Sequence, residues 1–169
     1  MTDRPPRTLV VFTSLEGNTR TVAQAIAETV GADLAEIKLA KPLPTGFMRY
    51  VVGGFSAFLK LKPAIQPVDV DLNAYDLLFV GTPVWARNYV PALRTFLKAH
   101  PVSGKQVALF ATCGQDATRS LEDLSGTLSG NKTLTKLALV APNGIQEADV
   151  KKATDWAANI YDKVRRGRV

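Results

Sequence analysis

Cysteine and histidine are nearly missing from this chain, each occurring once in 169 residues, as Cys113 and His100. A single cysteine excludes an intrachain disulfide and a thiolate cluster for structural zinc, and a single histidine argues equally against a histidine-rich centre, so no metal ligands are expected. Long hydrophobic runs are missing too. The longest apolar-looking stretch, residues 46–62, is interrupted by Arg49, Lys60, Lys62 and a Gly-Gly pair, and is too short and too charged to span a bilayer. Near the N-terminus, the apolar stretch that follows the arginines is too short for the core of a secretion signal. What is present suffices for a full core, since 46% hydrophobic residues at this length exclude a disordered chain. The expectation is a cytoplasmic protein with one domain over residues 1–169, frayed at 1–7 and 166–169.

Acidic residues are absent from two segments that hold much of the positive charge. Residues 163–169 contain Lys163, Arg165, Arg166 and Arg168, and residues 41–62 contain Lys41, Arg49, Lys60 and Lys62, with no Asp or Glu in either. Together they exceed the net charge of +6, so the rest of the chain is slightly acidic. A nucleic-acid binder would spread its cations along a face of the folded body, and no nucleic-acid partner is expected. The tail reads as a solvated helix end whose cations suit the negative end of the helix dipole. Residues 41–62 interleave their cations with Phe47, Tyr50, Phe55 and Phe58. They read either as a covering helix with outward lysine stems, or as a docking rim for something anionic. An acidic redox protein, a nicotinamide dinucleotide and an anionic lipid surface bearing quinone are the candidates.

Strand and helix patterns alternate along the chain. Residues 8–13 form an apolar run rich in β-branched side chains, as a strand buried on both faces requires. Val22, Ala23, Ile26, Ala27 and Val30 then recur at helical spacing up to Gly31. A weaker strand reads at 33–38, a helix at 46–60 between prolines, and the strongest strand at 76–82. Pro91 suits the first position of a helix carrying Leu93, Phe96 and Leu97. A strand at 105–112, a helix at 116–128, a fifth strand at 135–142 and a closing helix from about 146 to 165 complete the pattern. Five strands alternating with helices predict a three-layer, doubly wound α/β fold around a parallel sheet.

In such sheets ligands bind beyond the carboxyl ends of the strands. The loop after the first strand reads Ser14, Leu15, Glu16, Gly17, Asn18, Thr19 and runs straight into a helix. Hydroxyls around a glycine at a helix start can hold a phosphate with backbone N–H groups alone, although a plain helix cap would look similar. The loop after the third strand places Trp85 at the strand exit, where its indole can cover a flat heteroaromatic ring or pack on Pro83 or Tyr89. A phosphate site and a ring site on one sheet edge together suit a phosphorylated ring cofactor.

These residues carry a family resemblance. Ser14-x-x-Gly17-Asn18-Thr19 resembles the flavodoxin phosphate loop, and Gly81-Thr82-Pro83-Val84-Trp85 resembles the turn of a broad flavodoxin-like family. Phe110-Ala111-Thr112-Cys113-Gly114 resembles that family's third flavin loop. The resemblance runs from Thr8 to about Asp162 and implies a short-chain flavodoxin-like fold, sheet order 2-1-3-4-5, with non-covalent FMN. It implies that Ser14, Leu15, Glu16, Gly17, Asn18 and Thr19 hold the phosphate. It further implies that Pro83, Val84, Trp85 and Ala86 line the ring, and that Cys113, Gly114, Gln115 and Asp116 meet its pyrimidine edge. Glu16 departs from the family pattern and is expected to point to solvent; the loop after the fourth strand lacks a second aromatic cover. A sequence pI near 9.6 also departs from the acidic character of many flavodoxins and points away from basic reductase partners.

The resulting reading is an FMN-binding redox protein in which no side chain need act as acid, base or nucleophile. An NAD(P)H- or quinone-dependent flavin reductase on the same fold is the alternative. A more distant rival is a phosphatase, because Cys113 and Arg119 fit a Cys-x5-Arg pattern in which a thiolate attacks phosphorus. Against it stand a single loop glycine and Asp116, whose carboxylate would repel a phosphoester.

Overall fold

Strands that are apolar on both faces need cover on both faces, and the alternation of strands and helices supplies it. The computed structural model describes residues 4–167. The strands are β1 (Thr8–Phe12), β2 (Asp33–Glu36), β3 (Leu77–Trp85), β4 (Asn88–Tyr89), β5 (Gln106–Cys113) and β6 (Lys132–Val140). The helices are α1 (Asn18–Val30), α2 (Phe47–Phe58), α3 (Pro91–Ala99), α4 (Thr118–Thr127) and α5 (Glu147–Arg165). Five strands run parallel in the order β2-β1-β3-β5-β6, and the two-residue β4 pairs antiparallel with the end of β3. Setting β4 aside, this is the expected 2-1-3-4-5 order of a doubly wound α/β fold.

Alternation along each strand divides the core into two layers. Leu9 and Val11 of β1, Val80 of β3 and Leu109 of β5 pack with Leu93 and Phe96 of α3 and Leu121 and Leu124 of α4. Val10, Phe12, Phe79 and Phe110 point the other way, onto Val22 and Ile26 of α1 and Ala153 and Ala157 of α5. Trp156 of α5 sets its edge against Phe79 and Phe110, with centroid separations of 5.6 and 6.5 Å. Among the described residues, no helix is long and apolar enough to cross a membrane.

The boundaries differ from the sequence reading in two informative places. The third strand runs past Thr82 to Trp85 and folds back as a hairpin onto β4, pairing Val84 with Tyr89 and Trp85 with Asn88. The two turn residues, Ala86 and Arg87, have φ of 46° and 62°, the left-handed conformation that gives a two-residue turn the twist of its strands. Neither is Gly, Asn or Asp, so the usual turn signal is missing from the sequence; the Asn88 amide, donating to the Ala86 carbonyl at 2.8 Å, braces the turn. The last strand begins at Lys132 instead of 135, because its polar first residues still pair with Gln106 and Val107 before a bulge shifts the register. Asn131 pins that start, accepting from the Lys105 N–H at 3.1 Å and donating to the Val102 carbonyl at 3.0 Å.

Of the ends expected to fray, residues 1–3 and 168–169 lie outside the described part, Arg168 among them. Arg4 pairs with Asp76 at 3.2 Å, and the Arg7 N–H donates to the same carboxylate at 2.9 Å. Arg165 and Arg166 pair with Asp162 at 3.5 and 3.9 Å in the last turn of α5.

The tightest packing constraint lies at the sheet centre, where Gly81 of β3 pairs with Phe110 of β5. A Cβ on Gly81 would fall 2.2 Å from the Phe110 ring. Gly81→Ala is expected to destabilise the protein by about 1–3 kcal/mol, as overpacked cores do. Chemical denaturation measures this, and Phe110→Leu added to the same chain should recover part of the loss.

Candidate functional site

The start of α1 is built to leave hydrogen-bond donors free. Ser14 Oγ accepts the N–H groups of Gly17 at 3.1 Å and Arg20 at 3.3 Å, and the Gly17 carbonyl accepts from the Thr21 N–H at 2.9 Å. Gly17 has φ of 96°, and a Cβ there would meet nothing nearer than Arg20 at 4.0 Å, so the backbone angle and not space calls for glycine. The amides of Asn18 and Thr19 find no acceptor among the described residues, at the positive end of the helix dipole. The first turn of α1 carries no acid. An anion is the natural occupant.

Two side chains of the same turn register the neighbouring loops. The Thr19 hydroxyl is buried and shares a hydrogen bond of 2.8 Å with Thr112 at the end of β5. Asn18 Oδ1 accepts the Ile145 N–H at 3.3 Å, which brings in the loop after β6. Between these loops lies a cleft of about 600 Å³. Ser14–Glu16, Asn18 and Thr19 form one wall, Pro83–Trp85 another, and Thr112–Gly114 with Ala141–Ile145 the rest, while Tyr50 reaches in from α2.

Trp85 is half-buried and backed by α2, for a Cβ placed on Gly53 would lie 2.7 Å from its indole. The same indole borders a second cavity of about 360 Å³ beneath α2, lined by Ile37, Leu39, Leu43, Pro63 and Val90. Glu16 is exposed at the rim of the cleft, and its carboxylate accepts the hydroxyl of Tyr50 from α2. That hydrogen bond, reinforced by the carboxylate's charge, raises the Tyr50 phenol above its ordinary pKa.

The sequence-predicted residues converge with few exceptions. Ser14, Leu15, Glu16, Asn18, Thr19, Pro83, Val84, Trp85, Cys113 and Gly114 all line the cleft. Gly17 shapes the turn behind it, Ala86 lies at the hairpin tip, and Gln115 and Asp116 line an adjoining depression with Arg87. Asp116 is engaged locally, its Oδ1 accepting from Thr118 N and Oγ1 at 3.0 and 2.7 Å, and these bonds hold its carboxyl below the usual value. Tyr50 and the 141–145 loop have no place in the sequence reading of the site, and Thr112 stands in the third-loop motif without a role assigned to it. The Pro142-Asn143-Gly144 turn at a strand's carboxyl end was a usable signal, hidden by running the last strand on to Pro142.

Cys113 is poorly placed for nucleophilic work. Its thiol sits half-buried with the Leu139 carbonyl 3.8 Å away; burial pushes its pKa up and the Asp116 charge pushes the same way, against a backbone N–H of Gln115. Arg119 does not line the cleft. A phosphatase thiol needs the opposite environment.

A family model described as flavodoxin matches residues 7–155. No match is found among curated proteins. Among solved structures, a presumed flavoprotein from Bacteroides eggerthii is 26% identical with a TM-score of 0.70, covering 90% of this chain and 98% of its own. A flavoprotein from Lactobacillus acidophilus, solved in complex with FMN, is 21% identical with a TM-score of 0.69 over 88% of this chain and 99% of its own. Flavodoxin 2 from Bacillus cereus is 21% identical with a TM-score of 0.61 over 93% and 99%.

The Tyr50–Glu16 contact has a direct spectroscopic consequence. Glu16→Gln removes the accepting charge, so the Tyr50 phenol should ionise at lower pH than in the parent, as ultraviolet difference absorbance across an alkaline titration would record. Superimposable titrations would place Tyr50 away from Glu16 in solution.

Proposed function

This chain belongs to the flavodoxin family, and from that membership and the form of its cleft we propose that it binds FMN without a covalent bond and works as a cytoplasmic redox protein. The observation that carries the proposal is the pair of unpartnered amides at Asn18 and Thr19 on the same sheet edge as the Trp85 indole. The residues present fit the group. A phosphate suits two free N–H groups, the Ser14 and Thr19 turn and an acid-free helix start, and a planar ring suits the wall formed by Pro83, Val84 and Trp85. The edge formed by Cys113 and Gly114 brings no charged side chain to the cleft.

When bound, the flavin supplies the electron chemistry, which the protein tunes through packing and nearby charge. The part played by the chain is to bind and shield. Ser14 holds the turn in shape by accepting two amides, so little rearrangement is needed to receive an anion. Glu16, the carboxylate nearest that anion in sequence, is engaged at the cleft rim by the Tyr50 hydroxyl. Trp85 is braced from behind by Gly53 and keeps water from one side of the cleft. The net charge of +6 favours an acidic redox protein as electron partner. The lone, unpaired Cys113 is compatible with a reducing compartment. A second reading, a reductase taking electrons from NAD(P)H or passing them to a quinone, is favoured by the cavity on the far side of Trp85, whose apolar residues offer room for a substrate ring and whose Arg20, Lys38 and Arg49 suit an anionic group.

Gly17→Val should weaken FMN binding by at least about tenfold, since a branched residue resists the left-handed backbone on which the turn depends. Flavin content and circular dichroism check this together: flavin should fall while the helix and sheet signal stays. Trp85→Ala should brighten the emission of bound flavin, and Cys113→Ser should leave both flavin content and electron transfer unchanged. Full flavin occupancy in the Gly17→Val protein would contradict the assignment.

A further inference from the structure

Helix α2 is turned inside out. A helix on a sheet ordinarily presents its wide apolar stripe to the core, yet here Phe47, Met48, Val51, Phe55 and the capping Leu59 are 79, 52, 44, 62 and 48% exposed. At helical spacing these five residues share an arc of only about 120°. The opposite side, Gly53 and Ala57, is buried, and its small residues let the helix lie close on Trp85. Large side chains therefore face solvent as one band, beside a segment with no acid from 41 to 62. Among the described residues Lys41, six residues before α2, and Lys62, four residues after it, are exposed and form no ion pair, while Lys60 pairs with Asp123 at 3.0 Å.

We propose that α2 docks this protein on an anionic lipid surface, with the Phe47–Leu59 stripe entering the headgroup boundary and Lys41 and Lys62 meeting anionic headgroups. The charge pattern selects this occupant. A second copy docking through the same stripe would bring Lys41 and Lys62 against their own counterparts with no acid in the segment to offset them. An acidic membrane surface takes both the apolar band and the flanking cations, the combination that lays an amphipathic helix in an interface. Because Tyr50 lines the candidate cofactor cleft and Gly53 backs Trp85, docking would hold that cleft at the lipid surface.

The test is co-sedimentation of holoprotein with phosphatidylcholine vesicles, with and without phosphatidylglycerol. Binding is expected with phosphatidylglycerol, falling as salt screens the surface and weakening strongly with phosphatidylcholine alone. Phe47→Ser with Phe55→Ser should lower partitioning at least about tenfold. Lys41→Gln and Lys62→Gln should each lower it about fivefold, as expected for one cation at an anionic surface. None of these residues lines the cleft, so flavin content should not change. Flavin-free protein is expected to bind as well, so failure of the cofactor reading would leave this test standing. No binding to phosphatidylglycerol vesicles, or equal binding by the Phe47 and Phe55 double variant, would overturn the proposal. So would a parent dimer, seen by sedimentation velocity, that the same double variant abolishes, since a second copy would then own the stripe.

Discussion

Everything at the cleft depends on how the chain enters α1. Four amides at a helix start need partners, and here Ser14 and the left-handed Gly17 distribute them unevenly: those of Gly17 and Arg20 are taken by the Ser14 hydroxyl, the Thr21 N–H begins the intrahelical bonds at the Gly17 carbonyl, and Asn18 and Thr19 stay free. The same two residues use their side chains to tie in Thr112 and the backbone of Ile145. Anion site and loop register therefore come from one turn. Substitutions there act on binding and on the shape of three loops at once, which is why a backbone change at Gly17 is more telling than removal of one hydroxyl.

The second constraint is the seat of α2. Gly53 allows the helix to rest on Trp85, and Trp85 in turn borders both the cleft and the cavity below α2. The indole thus links a buried contact, a cleft wall and an exposed helix face. Tyr50 adds a polar tie from the same helix to Glu16. This coupling explains why an aromatic, basic segment lies against the cleft even though little of its large-side-chain surface is used for packing.

Most of the fold was legible because it rests on periodicity. The apolar runs at 8–13 and 76–82, the three-and-four spacing from Val22 to Val30 and Pro91 at a helix start all translate into elements within a few residues of the observed ends. What escaped depended on pairing. The β4 hairpin turns on Ala86 and Arg87, neither of which favours a left-handed backbone, and the early start of β6 depends on its parallel partner β5. The site followed the same division. Loops placed at strand ends by topology come together around one cleft, whereas Tyr50 enters from an element whose position over the edge no local pattern encodes. The inversion of α2 was equally hidden, since periodicity gives a stripe without saying which way it faces.

The most direct test of the phosphate cradle is to titrate flavin-free protein with FMN and, separately, with riboflavin, which carries the same ring without the phosphate. If the free amides at Asn18 and Thr19 hold the phosphate, FMN should bind at least about a hundredfold more tightly, a difference of about 2.7 kcal/mol. Equal affinities for the two would contradict it, because binding would then rest on the ring wall alone.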